Sequence, residues 1–219
     1  MMYADRLFNA LERNEPGPGQ LLVSAPGTMS PHFNRTVLLV IEHTDSMSFG
    51  VDLTSRSEVA VFNVLPDWLP VIAKPQALYI GGPLNQQSVV GLAMTKTGVN
   101  IDAQPHLNRL APRLAHVDMR TDPEELANYV DGVRLFAGYA EWGPGQLNDE
   151  IERGDWFVTP ALPQDVITPG SADLWGGHAP PRHAASALCH LPGRSRGQLA
   201  LNARPFLLKN GTSAHGIPR

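Results

Sequence analysis

Short apolar segments recur along residues 21–139 of the chain. They are rich in Val, Ile and Leu and are separated by Gly, Pro, Asn and Asp, which is typical of β-strands between turns. The segment at 37–41, VLLVI, has no polar alternation, so we expect it to be covered on both faces. The predicted strands are 21–24, 37–41, 49–53, 77–80, 89–95, 115–119 and 134–139.

Helical patterns are fewer. Residues 3–12 have the apolar spacing of a helix, and the turn NEPGPG follows them. A second helix is predicted over PEELANYV, where Asp122 is the N-cap and a proline and two acids occupy the first turn. Further helices are predicted at 145–152 and from Ser171 onward. Because strands and helices do not alternate regularly, the pattern predicts an α+β domain rather than a doubly wound parallel sheet. We expect a single compact domain with a mixed, mostly antiparallel β core and a few flanking helices.

The composition changes near residue 176. Residues 176–219 hold no acid, five of the 20 prolines and four of the eight histidines. This composition is poorly suited to a packed core, and it fits either a disordered segment or a reading frame translated out of phase. The predicted organisation is an N-terminal helix and Pro/Gly turn at 1–19, a folded domain at 20–175, and a basic Pro/Ala/His-rich tail at 176–219.

Charge and cysteine content narrow the function classes. The tail carries six of the 17 basic residues, so residues 1–175 have a formal net charge of −10 and the tail +6. An acidic body repels the phosphate backbone, which disfavours direct DNA binding by that body. The single cysteine excludes an internal disulfide framework, and the N-terminus lacks the pattern of a signal peptide. With no apolar run long enough to span a bilayer, we expect a cytoplasmic protein without a membrane partner.

Four blocks of sequence carry a family resemblance. Three of them are GQLLVSAP with PHFNRTVLLVIEH at 19–43, SEVAVFNVLPDW at 57–68 and YIGGP at 79–83. The fourth, GYAEWGPGQLNDEIERGDW at 138–156, is the densest. In this order the blocks resemble the YqgE/AlgH family in its actinobacterial form, over residues 20–175. The resemblance implies a cytosolic α+β domain, an association with transcriptional regulation of exopolysaccharide synthesis, and no agreed biochemical activity.

Several positions depart from the family pattern. Thr54 and Ser55 stand where the family usually has Asn and Arg. Glu141 replaces a glycine, and Asn148 replaces a glutamate. The sequence after Trp175 also lacks the family's closing segment. If the replaced Arg and Glu belong to a pocket, this chain has an altered pocket.

Two groups of polar residues are candidates for chemistry. Glu42 and His43 end the apolar strand, but successive strand residues point to opposite faces, which disfavours a catalytic pair and leaves Glu42 free to pair with Arg35. On the predicted helix, Gln146 and Glu150 are spaced i and i+4 beside the apolar stripe, where a cleft could form. The simpler interpretation is an amphipathic helix with a solvated pair between Asp149 and Arg153.

Motifs for cofactors and metals are absent from the sequence. The Gly-Gly-Pro segment at 81–83 matches no phosphate-binding loop. A turn at the end of a strand accounts for the two glycines. His178, His183, Cys189 and His190 match no familiar zinc spacing. We therefore predict no cofactor, no metal site and no catalytic residue.

The sequence thus favours a non-enzymatic binding or regulatory protein that acts through a small ligand or a protein partner. The predicted binding surface consists of Arg35, Glu42, Tyr139, Trp142, Gln146 and Glu150. In this surface Arg35 holds either an anion or the Glu42 carboxylate. Gln146 and Glu150 supply hydrogen bonds, and the aromatic residues supply apolar contact area. The alternative is an enzyme of unrecognised class with Glu42 or Glu150 as a buried general base, whose pKa burial would raise.

Overall fold

The computed structural model describes residues 15–26, 33–167 and 173–178. All seven predicted strands are present in it, although several are longer or shorter than expected. Three strands, β4, β7 and β10, were not predicted. The strands are β1 (Gln20–Ser24), β2 (Val37–His43), β3 (Ser48–Asp52), β4 (Arg56–Ala60), β5 (Ala77–Ile80), β6 (Leu84–Thr95), β7 (Leu107–Ala111), β8 (Leu114–Val117), β9 (Val130–Trp142) and β10 (Trp156–Pro160).

These strands form one curled sheet in the described part of the chain. The order along it is β10, β1, β2, β3, β9, β6, β8, β7, and β4 joins β9 through β5. The pairing of β5 with β9 is parallel, with Tyr79 opposite Phe136, and the other paired strands run antiparallel. The predicted α+β class with a mixed, mostly antiparallel core is therefore confirmed.

Among the described residues, four short α-helices accompany the sheet: α1 (Pro123–Leu126), α2 (Gln146–Arg153), α3 (Pro163–Ile167) and α4 (Leu174–His178). Short 3-10 helices lie at Val61–Asn63, Pro66–Val71 and Ile101–Ala103. Helix α1 is a single turn, shorter than predicted, and the Asp122 carboxylate caps it by accepting from the backbone N–H of Glu124 at 2.9 Å. The helix predicted at 3–12 lies outside the described residues. Where the structure is described, it contains no helix of the length and apolarity that a membrane crossing requires.

Buried side chains form three clusters around this sheet. The first cluster includes Leu21, Val37, Leu39, Val51, Tyr79, Leu92, Leu114 and Phe136. The second includes Val61, Trp68, Ile101, Val117, Leu126, Val133 and Leu135. The third includes Leu22, Leu38, Val40, Trp142, Leu147, Ile151, Trp156 and Val158. Strand β2 supplies alternate residues to the first and third clusters, which confirms that it is covered on both faces.

Strand β9 reaches all three clusters because it reverses its faces at Gly138. Before this residue, Leu135 packs in the second cluster and Phe136 in the first. Gly138 has φ 72°, and a β-carbon there would lie 2.6 Å from the carbonyl oxygen of Leu84. Phe136 and Trp142 are six residues apart, so a regular strand would point them to the same face. Trp142 packs instead in the third cluster, on the opposite face of the sheet. The reversal turns the end of β9 toward helix α2.

Arg134 is a buried cation within β9, only 2% exposed. Its Nη2 donates to the carbonyl oxygens of Lys74, at 3.2 Å, and Ile167, at 3.0 Å, and its Cζ lies 4.4 Å from the centre of the Tyr79 ring. The Nε and Nη1 atoms have no hydrogen-bond partner among the described residues. Burial lowers the pKa of Arg134, and Tyr79 opposes part of this shift. Arg134 thus ties the end of α3 and the segment before β5 to the central strand.

Candidate functional site

Helix α2 lies on the third cluster and confirms the helix predicted at 145–152. Its buried side chains are Leu147 and Ile151, one turn apart. Gly154 ends the helix at φ 85°, and its N–H donates to the carbonyl oxygen of Ile151 at 3.0 Å. The amphipathic pattern read from the sequence therefore positions this helix against the sheet.

The ion pair predicted on α2 does not form. Arg153 turns past the end of the helix and its Nη2 lies 2.9 Å from a carboxylate oxygen of Asp155, rather than beside Asp149. Both partners are partly exposed, so the pair contributes little to stability.

A carboxylate on α2 holds two tryptophans from different strands. The indole N–H groups of Trp142, on β9, and Trp156, on β10, donate to the same oxygen of Glu150 at 2.9 and 2.8 Å. The other oxygen of Glu150 accepts from the side-chain amide of Gln146 at 2.9 Å. Trp142 and Trp156 are 2% and 5% exposed. Glu150 is therefore engaged as an acceptor inside the fold, which favours a structural role over that of a general base.

A cleft of about 130 Å³ opens at the start of α2, next to the turn that joins β2 to β3. His43 and Ser48 are paired across this turn, and His43 Nδ1 lies 2.7 Å from Ser48 Oγ. Ser48 also lies opposite Trp142 in the register of β3 with β9, so the pair borders the tryptophan network. The cleft is lined by His43, Thr44, Asp45, Ser48, Gly145, Leu147 and Asn148.

Three residues of the predicted binding surface lie away from this cleft. Arg35 pairs with Asp173, at 2.9 Å, and its Cζ lies 4.4 Å from the centre of the Trp175 ring; the predicted pairing with Glu42 is therefore wrong. Glu42 is exposed at the end of β2, beyond a bulge in that strand. Tyr139 packs edge-on against Phe49, on the side of the first cluster.

The other three predicted residues, Trp142, Gln146 and Glu150, are in direct contact through the tryptophan network. Trp142 is too deeply buried to offer apolar contact area to a ligand. The structure thus brings together half of the predicted surface, beside the cleft but not lining it. Ligand binding by these residues stays a prediction.

A second cleft, of about 280 Å³, lies between α1 and the segment before β7. His106 Nε2 and a carboxylate oxygen of Glu125, 3.4 Å apart, face each other at its border. Its lining is more apolar than that of the cleft at α2, and it includes Leu107, Leu126 and Tyr129.

Metal ligands are not clustered in the part of the chain that the structure describes, where no group of three His, Cys, Asp or Glu residues has a suitable arrangement. His178 lies in α4, with its Nε2 3.4 Å from a carboxylate oxygen of Asp165. His183, Cys189 and His190 lie outside the described residues, so the expectation of no metal site among them stays a prediction.

The model of the family described as DUF179, AlgH-like, matches residues 21–179. The chain belongs to the AlgH-like family. It is 64% identical over 174 residues to the UPF0301 protein CE2927 of Corynebacterium efficiens, covering 80% of this chain and 87% of that protein. The UPF0301 protein of Mycobacterium bovis is 46% identical over 158 residues, covering 72% and 78%. The predicted resemblance, including its actinobacterial form, is confirmed.

Two solved structures of AlgH-like proteins share this fold. The crystal structure of protein DIP2367 from Corynebacterium diphtheriae has a TM-score of 0.74 at 62% identity, covering 80% of this chain and 92% of that one. The solution structure of the AlgH protein from Pseudomonas aeruginosa has a TM-score of 0.53 at 21% identity, covering 83% and 98%. At that identity the second likeness shows the fold alone.

Thr54 and Ser55, two of the positions singled out in the sequence, surround a buried carboxylate that sequence reasoning missed. Asp52, 8% exposed, accepts hydrogen bonds from the backbone N–H of Thr54 at 2.7 Å, from the Thr54 hydroxyl, and from the Ser55 hydroxyl at 2.8 Å. Burial raises the pKa of Asp52 above 3.8, and these hydrogen bonds oppose part of the shift.

The remaining departures fall in two places. Asn148, which the resemblance implies replaces a glutamate, lines the cleft at α2. Glu141 is exposed on β9, opposite Phe49. Ser48 was also missed, because the predicted strands end at 41 and begin again at 49. The four-residue turn that places it opposite His43 appears only in the structure, where β2 extends to His43 and β3 begins at Ser48.

Proposed function

We propose that this AlgH-like protein is a cytoplasmic binding protein with an indirect regulatory role, and that the cleft at the start of α2 holds its ligand. The observation that supports this proposal most is the meeting of two family blocks at one polar cleft. His43 ends the block at 31–43, and Gly145, Leu147 and Asn148 belong to the block at 138–156. Residues about a hundred positions apart thus form the walls of one small cavity.

The size and lining of the cleft restrict the ligand. Its volume, about 130 Å³, is well below the roughly 300 Å³ at which pockets for drug-sized molecules begin. Asp45 offers acceptors, while Asn148 offers both a donor and an acceptor. The first N–H groups of a helix also lack acceptors within the helix, and they lie at this end of α2. We therefore expect a polar molecule of a few non-hydrogen atoms that both donates and accepts hydrogen bonds.

The regulatory part of the proposal is indirect because of charge. The formal net charge of −10 on residues 1–175 opposes contact with DNA phosphates. A ligand-dependent change in contact with another protein accounts better for the association with transcription that the resemblance implies. Deletion of residues 176–219 tests the alternative, since DNA retention through the basic tail should then be lost.

An NMR titration of ¹⁵N-labelled full-length protein with a library of small amino acids, carboxylic acids, amides and alcohols tests the binding proposal. We expect at least one member to shift the amide signals of Thr44, Asp45 and Asn148. Asn148→Ala removes one hydrogen-bonding side chain from the wall, which should weaken that ligand about fivefold, given roughly 1 kcal/mol for a lost hydrogen bond.

Asn128→Ala is the matched control, because it removes the same side chain from the second cleft. The proposal fails if no library member shifts the α2 cleft, if shifts occur only around Asn128, or if Asn148→Ala binds as tightly as the unaltered chain.

A further inference from the structure

We infer that Ser48 is a nucleophile that accepts acyl groups from small neutral esters, with His43 as its general base. This inference rests on the cleft of the proposed function and names a substrate class for it. The distance of 2.7 Å between Ser48 Oγ and His43 Nδ1 lies within the range at which a base activates a hydroxyl. Both residues line the same cleft, and Ser48 is only 3% exposed, so an ester has to approach Oγ from within this cleft.

The pair is held in place by the sheet. His43 and Ser48 are opposite each other at the ends of β2 and β3, and the turn between them is closed by hydrogen bonds between Thr44 and Met47 at 2.9 to 3.2 Å. On its other side Ser48 faces Trp142, whose indole is fixed by Glu150. Residues on paired strands keep their mutual geometry better than residues on a loop, so the pair needs little reorganisation before reaction.

The start of α2 supplies the second element that acyl transfer needs. The N–H of Gln146 donates to the carbonyl oxygen of Gly143 and that of Asp149 to Gly145. The N–H groups of Leu147 and Asn148 fall between these two and have no acceptor within the helix. Both residues line the cleft, where their N–H groups can stabilise the oxyanion that forms on an attacked carbonyl.

The reaction has two steps. His43 Nδ1 takes the hydroxyl proton of Ser48 as Oγ attacks the carbonyl carbon; the tetrahedral intermediate then expels the alcohol, which receives this proton, leaving an ester on Ser48. In the second step His43 takes a proton from water as the water oxygen attacks the Ser48 ester, and the proton returns to Oγ as the carboxylic acid leaves. The net reaction is hydrolysis of the ester by one water, and the acylated protein persists if the second step is slow.

The cleft limits which esters fit. A volume of about 130 Å³ accommodates an acetyl or propionyl group, while the alcohol part extends into solvent. Asp45 is exposed at the opening, and its charge repels anionic donors. Neutral esters of short acids are therefore the expected class.

Intact-mass spectrometry of the full chain after incubation with p-nitrophenyl acetate tests the inference. We expect a gain of one acetyl group, with peptide mapping that places it on Ser48. Ser48→Ala should abolish the gain, and His43→Gln should slow it at least about a hundredfold, the lower range of general-base catalysis.

Ser46→Ala is the matched control, because Ser46 lies in the same turn, hydrogen-bonded to Thr44, and does not line the cleft. If Ser48→Ala does not fold, Ser48→Cys keeps a nucleophile of similar size at the site and should acylate faster than the unaltered chain. Acetyl groups found only on lysines, on His43 or on Ser46 overturn the inference, as does a rate unchanged in Ser48→Ala. If the library titration still shifts the cleft amides in that case, the proposed binding function stands without acylation.

Discussion

Replacement of Glu150 by alanine should destabilise the protein by about 3 kcal/mol. The substitution removes the shared acceptor of two buried indole N–H groups, which lie 2.9 and 2.8 Å from one carboxylate oxygen. A hydrogen bond to a charged group contributes about 1.5 to 3 kcal/mol, and we take the lower figure for each because Glu150 is half-buried. Glu150→Gln keeps an uncharged acceptor, so it should lose about half as much, roughly 1.5 kcal/mol.

Urea denaturation followed by tryptophan fluorescence measures this loss. In a chain of this size, about 3 kcal/mol corresponds to a decrease of roughly 6 to 12 °C in Tm, which calorimetry checks independently. Glu152→Ala is the matched control, since Glu152 is an exposed glutamate on the same helix and should change stability by less than about 0.5 kcal/mol. A Glu150→Ala protein as stable as the Glu152→Ala protein would refute the role of the carboxylate.

Three further predictions follow from buried or strained positions. Burial raises the pKa of Asp52 above its ordinary value of 3.8, so protonated Asp52 stabilises the fold fully below that pH, and this stabilisation is lost as the pH rises through the pKa of the folded state. Urea midpoints measured against pH should show a smaller loss in Asp52→Asn. The exposed control Asp45→Asn should show the same loss as the unaltered chain. Arg134→Met keeps the volume but gives up the two hydrogen bonds that Nη2 donates to main-chain carbonyls, so its urea-derived unfolding free energy should fall by about 2 kcal/mol, whereas Arg134→Ala, which also leaves a cavity, should lose about 4 kcal/mol or more. In Gly138→Ala the new β-carbon meets the carbonyl oxygen of Leu84, so the variant should lose more than about 3 kcal/mol of unfolding free energy. Gly98 also has a positive φ but open space around it, so Gly98→Ala should lose only about 1 kcal/mol. Equal losses of stability in calorimetry would contradict the clash.

Local pattern was sufficient to predict the elements that bury apolar residues at regular spacing. The uninterrupted run at 37–41 predicted a strand covered on both faces, and Leu147 with Ile151 predicted the side of α2 that packs. Strand β4 escaped prediction because four of its five residues are exposed and it pairs with a single neighbour, β5. Strand β10 was not predicted, because Trp156, its first residue, was considered only as the end of the block at 138–156.

The site depended on contacts that no local pattern contains. Glu150 accepts from Trp142 and Trp156, whose strands are separated by three others in the sheet order, so their meeting is fixed only by the curl of the sheet and the placement of α2. Arg35 was expected to pair with Glu42 on the adjoining strand, yet it contacts Asp173 near the other end of the chain. Side-chain partners across such distances follow from tertiary packing and not from spacing.

Strand β2 divides its side chains between two clusters, and β9 divides its own among three. One cluster therefore cannot unfold while the other two stay intact, because a strand shared between clusters would have to be folded for one cluster and unfolded for the other. The body of the protein should open as one cooperative unit. In native-state hydrogen exchange, the amides of Leu39 and Leu135 should show the same free energy of opening, that of global unfolding, although they pack in different clusters.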